Sequence, residues 1–528
     1  MTPTLSGSAS LALAKALAPE LVLAAGALLL LLASVWHPQQ SPAGAAEGAD
    51  RTPAITRLAL VLCLVTAVVV VIAWGDGVTG SPDLRIAGDP FRWVLSLILL
   101  GGTAGALVLL DAEHHLTRAY SPEVPVLMLL ATTGMLVLAA ARDLMLIFLG
   151  IELMSLAAYV LAGANRRNAR GAEAALKYFL LGAVASGFLL YGMALLFGAT
   201  GGTRLVDLAR WAAMHPALSP WYLAGLALLL VGVAFKIAAV PFHAWTPDVY
   251  EGAPLPVTAF MATCVKTAGF AVLGRLLVEA FPLALPKWHA VVWWLAVLSM
   301  LFGNLLALGQ RNMVRMLAYS SIAHAGYLLV GLVAGSAAGV SAVIFYATGY
   351  GLATLGVYGI LIAVAAGRDR APSIDDLAGL WLVRPWLAGA MAVCLLAFLG
   401  IPVLGGAGFF AKWFLLRAAL QAAAPQTVLS IVLVLASAVS AAYYLNVLAA
   451  MFTRPRPTGA PQPQVSGASR VLLLAVVGGL LLLGLQPTPL ASLADEAKVA
   501  PPVERDARPV SPDPIPLQTA STRLRSVR

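Results

Sequence analysis

Charge is scarce in this sequence. Only 11% of its 528 residues are charged, whereas 60% are hydrophobic. Soluble domains carry about 25% charged residues, so the composition excludes an ordinary soluble protein. The net charge of +9 is spread over the predicted loops and the C-terminal tail. It forms no basic patch that would bind nucleic acid, and arginine in short loops is the usual topology signal of a membrane protein.

Cysteine is also scarce, and nucleotide-binding motifs are missing. The three cysteines, Cys63, Cys264 and Cys394, lie in apolar runs without C-x-x-C spacing. This pattern argues against iron–sulfur clusters, zinc sites and a disulfide framework. The sequence has neither a G-x-G-x-x-G motif between a strand and a helix nor a P-loop lysine motif. We therefore expect no cofactor and no metal in this chain, and any nucleotide or redox chemistry would belong to a partner.

Apolar stretches of about 20 residues recur from end to end, and this length crosses about 30 Å of hydrocarbon. Alternating segments of about 10 residues, typical of a transmembrane barrel, are not found. We therefore predict an all-α polytopic membrane protein. The first apolar run follows Lys15 and an alanine-rich flank that suggests a signal peptide, but the run is long enough to span. The fourteen predicted spans lie near 17–36, 57–74, 91–110, 125–141, 143–163, 173–198, 221–247, 254–280, 289–309, 313–334, 341–366, 385–423, 427–452 and 470–486.

Lysine is rare relative to arginine, and its positions are unusual. There are 7 lysines against 26 arginines, and four of the lysines, Lys177, Lys236, Lys266 and Lys412, lie inside apolar runs. Arginine keeps its proton in proteins, whereas a desolvated lysine can release it. The division suggests that arginine sets the topology and that lysine titrates. The alternative is that each lysine snorkels to the membrane interface.

Two predicted spans are interrupted, and each carries a lysine. The seventh contains Lys236 and breaks at Pro241, while the twelfth, 385–423, is interrupted by the glycine-rich stretch 400–408 and then carries Lys412. Broken spans in corresponding positions indicate inverted repeats with an ion path at their interface. Because the breaks are five spans apart, we predict two inverted five-helix repeats, spans 4–8 and 9–13, with discontinuous seventh and twelfth helices. Coincidental breaks are the alternative.

Loop charge predicts the orientation of the chain. Arginines cluster in alternate loops, at 166–170, 311–315, 368–384 and 454–456. The positive-inside rule places these loops in the cytoplasm, and with an even number of spans both termini then lie outside. The tail is rich in proline, serine and charge, and we expect it to be mobile or to lie on a neighbouring protein. The predicted segments are 1–124 (helices 1–3), 125–280 (first repeat), 281–452 (second repeat), 453–486 (helix 14) and 487–528 (polar tail).

Glu152 lies in the middle of the fifth span, LMLIFLGIELMSLAAYVLAG. A lone carboxylate at membrane depth is costly unless it is protonated or paired. We predict that its partner is Lys236. A close pair keeps both groups ionised, and separating the pair favours the neutral lysine and releases its proton. The alternative is a static buried ion pair that holds two helices together.

Lys266 and Lys412 would continue a line of titratable groups along the membrane midplane. Hydroxyl and imidazole groups near these lysines suit a hydrated proton wire, although such groups can also serve as hydrogen-bond partners between helices. The polar groups of the second repeat at this depth are His324, Ser320, Ser321, Tyr346 and Tyr350.

Two further residues have two interpretations each. Lys177 lies one turn deeper than its loop and either snorkels or joins the line. His243 follows the break at Pro241. It either satisfies backbone carbonyls that the break frees or relays protons beside Lys236.

Five stretches of the sequence resemble the subunit N family of bacterial respiratory complex I, the proton-pumping NADH–quinone oxidoreductase. They are PFHAWTPDVYEGAPLPVTAFMATCVK, GIELMSL, ALKYFLLGA, RNMVRMLAYSSIAHAGY and GIPVLGGAGFFAKW. The resemblance covers roughly spans 2 to 14 and is most specific at PDVYEGAP. The related subunit M family typically has glutamate at the position of Lys412, which favours the N family.

The resemblance implies an antiporter-like membrane subunit of a translocase, with the proton relay carried by Glu152, Lys236, Lys266 and Lys412. Lys177 matches the family's lysine of the sixth helix. The resemblance also implies that this chain holds no redox centre. FMN, iron–sulfur clusters and quinone would be bound by partner subunits of the membrane and peripheral arms. Two alternatives are a subunit of a multisubunit cation/proton antiporter and a structural scaffold of the membrane arm.

Overall fold

The computed structural model describes residues 7–35, 50–81, 83, 85–166, 168–368, 370–402, 406–497 and 499. Arg167 of the predicted cytoplasmic loops, Gly405 of the predicted twelfth-span break and the predicted tail beyond 499 lie outside the described residues. The described part of the chain is nearly all helical, and extended pairing within it is limited to isolated bridges such as Ile86 with Ala141. The predicted all-α class is confirmed.

The helices are, in chain order, α1 (Gly7–Ala16), α2 (Ala18–Val35), α3 (Thr52–Gly75), α4 (Pro90–Thr117), α5 (Glu123–Ala140), α6 (Leu144–Ala162), α7 (Ala169–Thr200), α8 (Leu205–Met214), α9 (Pro220–Lys236), α10 (Thr246–Gly252), α11 (Leu255–Phe260), α12 (Lys266–Arg275), α13 (Leu285–Leu308), α14 (Met313–Val333), α15 (Ala337–Ala365), α16 (Leu380–Val383), α17 (Pro385–Leu399), α18 (Ala407–Leu420), α19 (Thr427–Thr453), α20 (Gly467–Leu485) and α21 (Thr488–Glu496). A π-helical turn, Met261–Val265, joins α11 to α12, and a second, Leu276–Ala280, extends α12, so that Leu255–Ala280 is one continuous helix.

Within the described ranges, twelve helices are long and apolar enough to cross a membrane. The remaining two predicted spans are the interrupted ones. The seventh is α9 followed by α10, and the twelfth is α17 followed by α18. The structure therefore agrees with the predicted fourteen-span architecture and with discontinuous seventh and twelfth helices.

Helix starts follow from capping residues and prolines in the sequence. Asp89 accepts a hydrogen bond from the backbone N–H of Arg92 at the start of α4, and Asp143 does the same for Met145 at the start of α6. Proline occupies the first turn of α3, α4, α9, α13 and α17. The first N–H groups of a helix have no intrahelical partner, so a capping side chain or a proline is well suited to this position.

The break in the seventh helix comprises residues 237–245, and its freed backbone groups have partners. The indole Nε1 of Trp245 donates a hydrogen bond to the carbonyl oxygen of Phe235 at 3.2 Å. The backbone N–H of Val240 donates to the Ser299 hydroxyl at 2.9 Å. Irregular backbone at membrane depth is tolerated only where it is satisfied by surrounding protein, and these bonds meet that requirement.

In the twelfth helix, the two halves approach each other closely. Gly400, directly after α17, has a φ of +80°, a conformation that favours glycine. A Cβ atom on Gly408 would lie 1.7 Å from the carbonyl oxygen of Ala397. The glycines of this stretch therefore both end the first half and let the second half pack against it.

The centre of the bundle is formed by helix Leu255–Ala280, α14 and α15. Their most apolar windows are 100%, 94% and 89% buried, whereas only 22% of the corresponding windows of α2 and α20 is buried. Helices that are buried all round form the core of a membrane bundle, and helices with one buried stripe face lipid. Lys266 and His324 both lie on core helices.

The chain after the last span begins with a helix that the sequence did not predict. α21 packs against α15 and α4. Its Ala494 is buried, and Ala497 and Val499 are buried after it. The start of the predicted polar tail therefore lies on this protein's own bundle, because a few small apolar residues fit against α15.

Candidate functional site

Three of the predicted lysines are buried in the middle of the bundle. Lys236, Lys266 and Lys412 are only 4%, 3% and 7% exposed. Among the described residues, none of the three ammonium groups has a carboxylate within 4 Å. Each donates instead to an uncharged oxygen. A buried ammonium without an anion is costly to keep charged.

Lys236 is the last residue of α9, and its Nζ donates to the hydroxyl of Tyr159 on α6 at 3.0 Å. The ammonium also lies 5.1 Å from the centre of the Tyr159 ring. That ring is fixed by an edge-to-face contact with Tyr178, whose own ring stacks on Trp245 of the helix break. The aromatic cluster thus positions Lys236 at the edge of the discontinuity.

The predicted close pair between Glu152 and Lys236 is not formed. The Glu152 carboxylate is half-buried and accepts a hydrogen bond from the Ser186 hydroxyl of α7 at 2.5 Å. Tyr159 lies seven residues, or about two turns, further along the same face of α6 and takes the lysine instead. The Glu152 carboxylate and the Lys236 ammonium are therefore each bonded to a hydroxyl rather than to each other.

Lys266 begins α12, directly after the π-helical turn Met261–Val265. Its Nζ donates to the carbonyl oxygen of Ser321 on α14 at 2.5 Å and also to the Ser321 hydroxyl. Single π-helical turns inside α-helices are frequent at functional sites. Lys266 therefore links the last helix of the first repeat to the second helix of the second repeat.

Lys412 lies on α18, the second half of the interrupted twelfth helix. Its Nζ donates to the carbonyl oxygen of Leu399, the last residue of α17, at 2.7 Å. It also lies 4.9 Å from the centre of the Tyr327 ring. The C-terminal carbonyls of a helix have no intrahelical partner and attract a cation. The break thus supplies the partner that Lys412 uses.

The region between Lys266 and Lys412 is filled with hydrogen-bonded polar side chains. His324 Nδ1 lies 2.7 Å from the Tyr346 hydroxyl, and His324 Nε2 lies 3.1 Å from the Tyr444 hydroxyl. Nearby, Asn304 donates a hydrogen bond to the Tyr327 hydroxyl at 3.0 Å. Its side-chain oxygen accepts a hydrogen bond from the Tyr443 hydroxyl at 2.8 Å. These contacts bring the predicted His324 and Tyr346 together.

Lys177 differs from the three buried lysines. Its side chain is 43% exposed and makes salt bridges at 2.8 Å with both Glu173 and Asp248. Asp248 is also paired with Arg315 at 2.9 Å. These charges line an open cavity of about 170 Å³ together with Arg170 and Glu251. Lys177 is thus part of an exposed ion-pair network near the start of α7 rather than a buried member of the lysine line.

His243 lies in the break of the seventh helix and is half-buried. Its carbonyl oxygen accepts a hydrogen bond from the backbone N–H of Thr246 at 2.9 Å. Its buried Nδ1 has no hydrogen-bond partner among the described residues. The structure does not bring the His243 ring into hydrogen-bonding contact with Lys236.

Buried arginines, in contrast, are matched with carboxylates. Arg92, fully buried, binds Glu20 at 2.8 Å. Arg275, 1% exposed, binds Glu279 at 2.6 Å and Asp89 at 3.0 Å. Burial raises the pKa of Asp89, but the neighbouring arginine guanidiniums bring it down to about 2. These two buried arginines thus have carboxylate partners, whereas the three buried lysines have none among the described residues.

Some residues of the site were not indicated by the sequence patterns. Tyr159, Ser186, Asn304 and Tyr444 each bond a predicted site residue or its neighbour. All four are polar groups inside apolar runs, and this is the signal that could have marked them. Among the described residues, no group of three or more His, Cys, Asp or Glu side chains could hold a metal ion.

Comparisons with known proteins agree with this picture. The family model described as "NADH:quinone oxidoreductase/Mrp antiporter, TM" matches residues 141–440. A Gemmatimonas aurantiaca protein named NADH-quinone oxidoreductase subunit N is 63% identical, over 97% of this chain and 98% of its own. A chain of respiratory complex I from Thermus thermophilus is 36% identical with a TM-score of 0.74, covering 90% of this chain and 99% of that one. A chain of the Mrp complex from Dietzia sp. covers 92% of this chain and 97% of that one, with a TM-score of 0.77 at 22% identity, and shares the fold.

The chain belongs to the NADH:quinone oxidoreductase/Mrp antiporter family of transmembrane subunits, whose fold is antiporter-like. Within this family it falls in the subunit N group of NADH–quinone oxidoreductase, as the sequence motifs predicted. It is thus a multi-pass membrane subunit of a proton-translocating oxidoreductase.

Proposed function

We propose that this subunit moves protons along a midplane line that begins at Glu152 and Lys236, continues through Lys266 and ends at Lys412. Electron transfer from NADH to quinone takes place in other subunits and drives the movement. In this scheme Glu152 modulates Lys236, Lys266 relays, and Lys412 exchanges protons with the far side.

The observation that carries the proposal is the pairing pattern of the buried cations. Arg92 and Arg275 have carboxylate partners, whereas the ammonium groups of Lys236, Lys266 and Lys412 have only neutral oxygens. A scaffold would need its buried charges compensated, because an uncompensated buried charge costs several kcal/mol. A lysine that must gain and lose a proton needs partners that accept either form, and hydroxyl and carbonyl oxygens meet this need.

The separated Glu152–Lys236 geometry supports a role for this pair as a switch. Tyr159 stabilises the lysine in the absence of the carboxylate, and Ser186 stabilises the carboxylate in the absence of the lysine. Approach of the two groups would favour charge on both, and separation favours a neutral lysine. A signal that alters their separation would therefore move a proton without any cofactor in this chain.

The proposal is tested in inside-out membranes that contain the assembled enzyme. Lys236→Ala and Glu152→Ala are each expected to depress NADH-driven proton pumping together with coupled quinone reduction. NADH oxidation with an artificial acceptor, which needs only the peripheral arm, should remain. Full pumping in both variants would refute the proposal.

The partner set and the orientation belong to the same proposal. We expect FMN and iron–sulfur clusters in peripheral-arm subunits, quinone in a site built by other subunits, and a bacterial inner membrane with both termini periplasmic. Purification of the chain in mild detergent should bring down a flavin-containing assembly. Cysteines introduced at each terminus should react with an impermeant thiol reagent from the periplasmic side. Sodium-sensitive growth on deletion, with NADH oxidation intact and no flavin co-purifying, would instead indicate a cation/proton antiporter.

A further inference from the structure

A buried phenol on α19 completes a hydrogen-bonded chain in the second half of the bundle. Tyr444 is fully buried, and its hydroxyl lies 2.5 Å from the Ser320 hydroxyl and 3.1 Å from His324 Nε2. The opposite ring nitrogen, Nδ1, lies 2.7 Å from the Tyr346 hydroxyl. Four side chains from α14, α15 and α19 thus form one unbroken polar chain.

Both ends of this chain lie beside a buried lysine. Ser320 is followed in sequence by Ser321, which binds Lys266 through its carbonyl and hydroxyl oxygens. At the other end, the centres of the Tyr346 and Tyr327 rings are 6.5 Å apart. The ammonium of Lys412 lies 4.9 Å from the centre of the Tyr327 ring. The chain therefore lies between Lys266, on the last helix of the first repeat, and Lys412, in the second repeat.

We propose that Tyr444 is a relay residue, which passes protons between Ser320 and His324 and determines which nitrogen of His324 carries the proton. This inference rests on the proposed function, since it assigns a route to one segment of the same line. Tyr444 is suited to the task because a phenol hydroxyl both donates and accepts, and it meets the imidazole nitrogen opposite to the one that Tyr346 meets.

The transfer balances at every atom. A proton that arrives at the Ser320 oxygen forms a new O–H bond while the original hydroxyl proton of Ser320 passes to Tyr444. The Tyr444 proton passes to His324 Nε2, and His324 releases its Nδ1 proton to Tyr346, whose own proton leaves the chain. One proton enters and one leaves. His324 ends in its other neutral tautomer, and rotation of the hydroxyls together with return of the imidazole tautomer resets the chain.

The ring of Tyr444 has a packing role that can be separated from the role of its hydroxyl. It stacks on Phe398 with ring centres 5.8 Å apart and tilts against Tyr443 at 4.4 Å. Phenylalanine at position 444 preserves these contacts and removes only the oxygen. A buried tyrosine with an unpartnered hydroxyl, Tyr358 on α15, provides a matched control because its change to phenylalanine removes a hydroxyl that bonds nothing among the described residues.

The first test compares Tyr444→Phe with Tyr358→Phe in inside-out membranes, each normalised to the amount of assembled enzyme. Loss of one buried hydrogen-bonded group corresponds to about a tenfold effect, so we expect about tenfold slower pumping in Tyr444→Phe. Tyr358→Phe should pump like the wild type. Wild-type pumping by Tyr444→Phe overturns the inference. If Lys412→Ala is impaired in the same assay, the proposed function stands while the relay role fails; if Lys412→Ala also pumps fully, the proposed function itself fails.

The second test replaces Tyr444 by 3-fluorotyrosine, which keeps the ring and the hydrogen bonds but makes the hydroxyl more acidic. A relay residue predicts that the pH profile of pumping is displaced, whereas a purely structural residue predicts an unchanged profile, which would overturn the inference. This variant remains informative even if Tyr444→Phe fails to assemble.

Other titratable groups also face the Tyr444 hydroxyl, and the experiment leaves them unmodified. They are His324 and Tyr327 on α14, Tyr346 and Tyr350 on α15, and Tyr443 on α19. Lys266 and Lys412 act electrostatically on His324.

Discussion

Lys236 donates a hydrogen bond to the neutral hydroxyl of Tyr159 at 3.0 Å, at the position where the sequence predicted a carboxylate partner. Glu152, which lies about two turns from Tyr159 on α6, accepts a hydrogen bond from Ser186 instead. The acid and the base are thus each satisfied without the other. Neither polar group is therefore left without a hydrogen-bond partner.

The bond between Lys236 and Tyr159 gives the first prediction. Tyr159→Phe preserves the ring contacts with Tyr178 and Phe179 but removes the oxygen that holds the ammonium. We expect pumping and coupled quinone reduction to fall about tenfold, since one buried hydrogen bond of Lys236 is lost. The measurement is NADH-driven acidification of inside-out vesicles.

Tyr222 supplies the control for this prediction. It lies on the same helix as Lys236, is fully buried, and its hydroxyl has no partner among the described residues. Tyr222→Phe should leave pumping unchanged. Equal losses in Tyr159→Phe and Tyr222→Phe would mean that any buried phenol is needed for packing, and would contradict a specific role for the bond to Lys236.

A second prediction separates lysines that titrate from lysines that only carry charge. Arginine retains the positive charge and the reach of lysine, but it does not release its proton in proteins. Lys236→Arg should therefore reduce pumping at least about tenfold. Lys177→Arg should retain most of it, because Lys177 serves two salt bridges that a guanidinium can also make. The result to be measured is the ratio of pumping in the two variants. Similar activity in both would argue against proton release from Lys236.

The third prediction concerns stability. Asp89→Asn would leave Arg275, 1% exposed, with Glu279 as its remaining carboxylate partner at 2.6 Å. Loss of one partner of a buried ion pair costs about 3 kcal/mol. We expect the assembled subunit to be lost at a clearly lower temperature in a heat-inactivation series. Asp83→Asn, at a side chain that is 57% exposed, should behave like the wild type.

The pKa of Asp89 also determines how the stability difference between the wild type and Asp89→Asn depends on pH. The pKa of Asp89 lies at about 2 in the folded protein, below the value of about 3.9 for an unfolded chain. A depressed carboxyl pKa contributes stability above the unfolded value, and this contribution is lost as the pH falls through the folded value. The advantage of the wild type over Asp89→Asn should be constant above about pH 5 and shrink between about pH 4 and about pH 2. An advantage that shrinks already between pH 7 and pH 5 would contradict this assignment.

The fourth prediction uses two glycines of the twelfth span. Gly408→Ala places a methyl group 1.7 Å from the Ala397 carbonyl oxygen, so the two half-helices must move apart. Because Lys412 bonds the end of the first half, we expect Gly408→Ala to lower pumping several-fold or to prevent assembly. Gly389→Ala has open space around the new methyl group and should be neutral or slightly stabilising, since alanine favours helix by about 1 kcal/mol. Normal pumping in Gly408→Ala would show that the close approach is dispensable.

Much of the fold could be predicted because a bilayer leaves a chain few choices. A span must satisfy its own backbone, so length and hydropathy located the helices, and Pro241 and the glycines of 400–408 marked both breaks. Fully buried helices such as α15 were not distinguishable from lipid-facing ones, because both are apolar all round. The short α21 was missed because nine residues give too little periodicity for a prediction.

The site could be predicted less completely, for a physical reason. A lysine or glutamate in an apolar run is visible in the sequence because its burial is costly. Which oxygen it meets depends on how two helices are rotated against each other. Tyr159 is 77 residues from Lys236, and Tyr444 is 120 residues from His324. A serine hydroxyl can bond its own helix backbone, and a tyrosine is mostly an apolar ring, so both residue types carry little cost in a membrane helix and leave a weak signal.

The ion pair between Glu20 and Arg92 has a consequence for how the protein is made. Glu20 is near the start of the first span, and its partner lies 72 residues later, at the start of the third. A chain that enters the bilayer from its N-terminus presents this carboxylate before the guanidinium has been synthesised. The pair therefore forms only once the third helix has been inserted, so the first helix gains its buried ionic partner when three helices are in place.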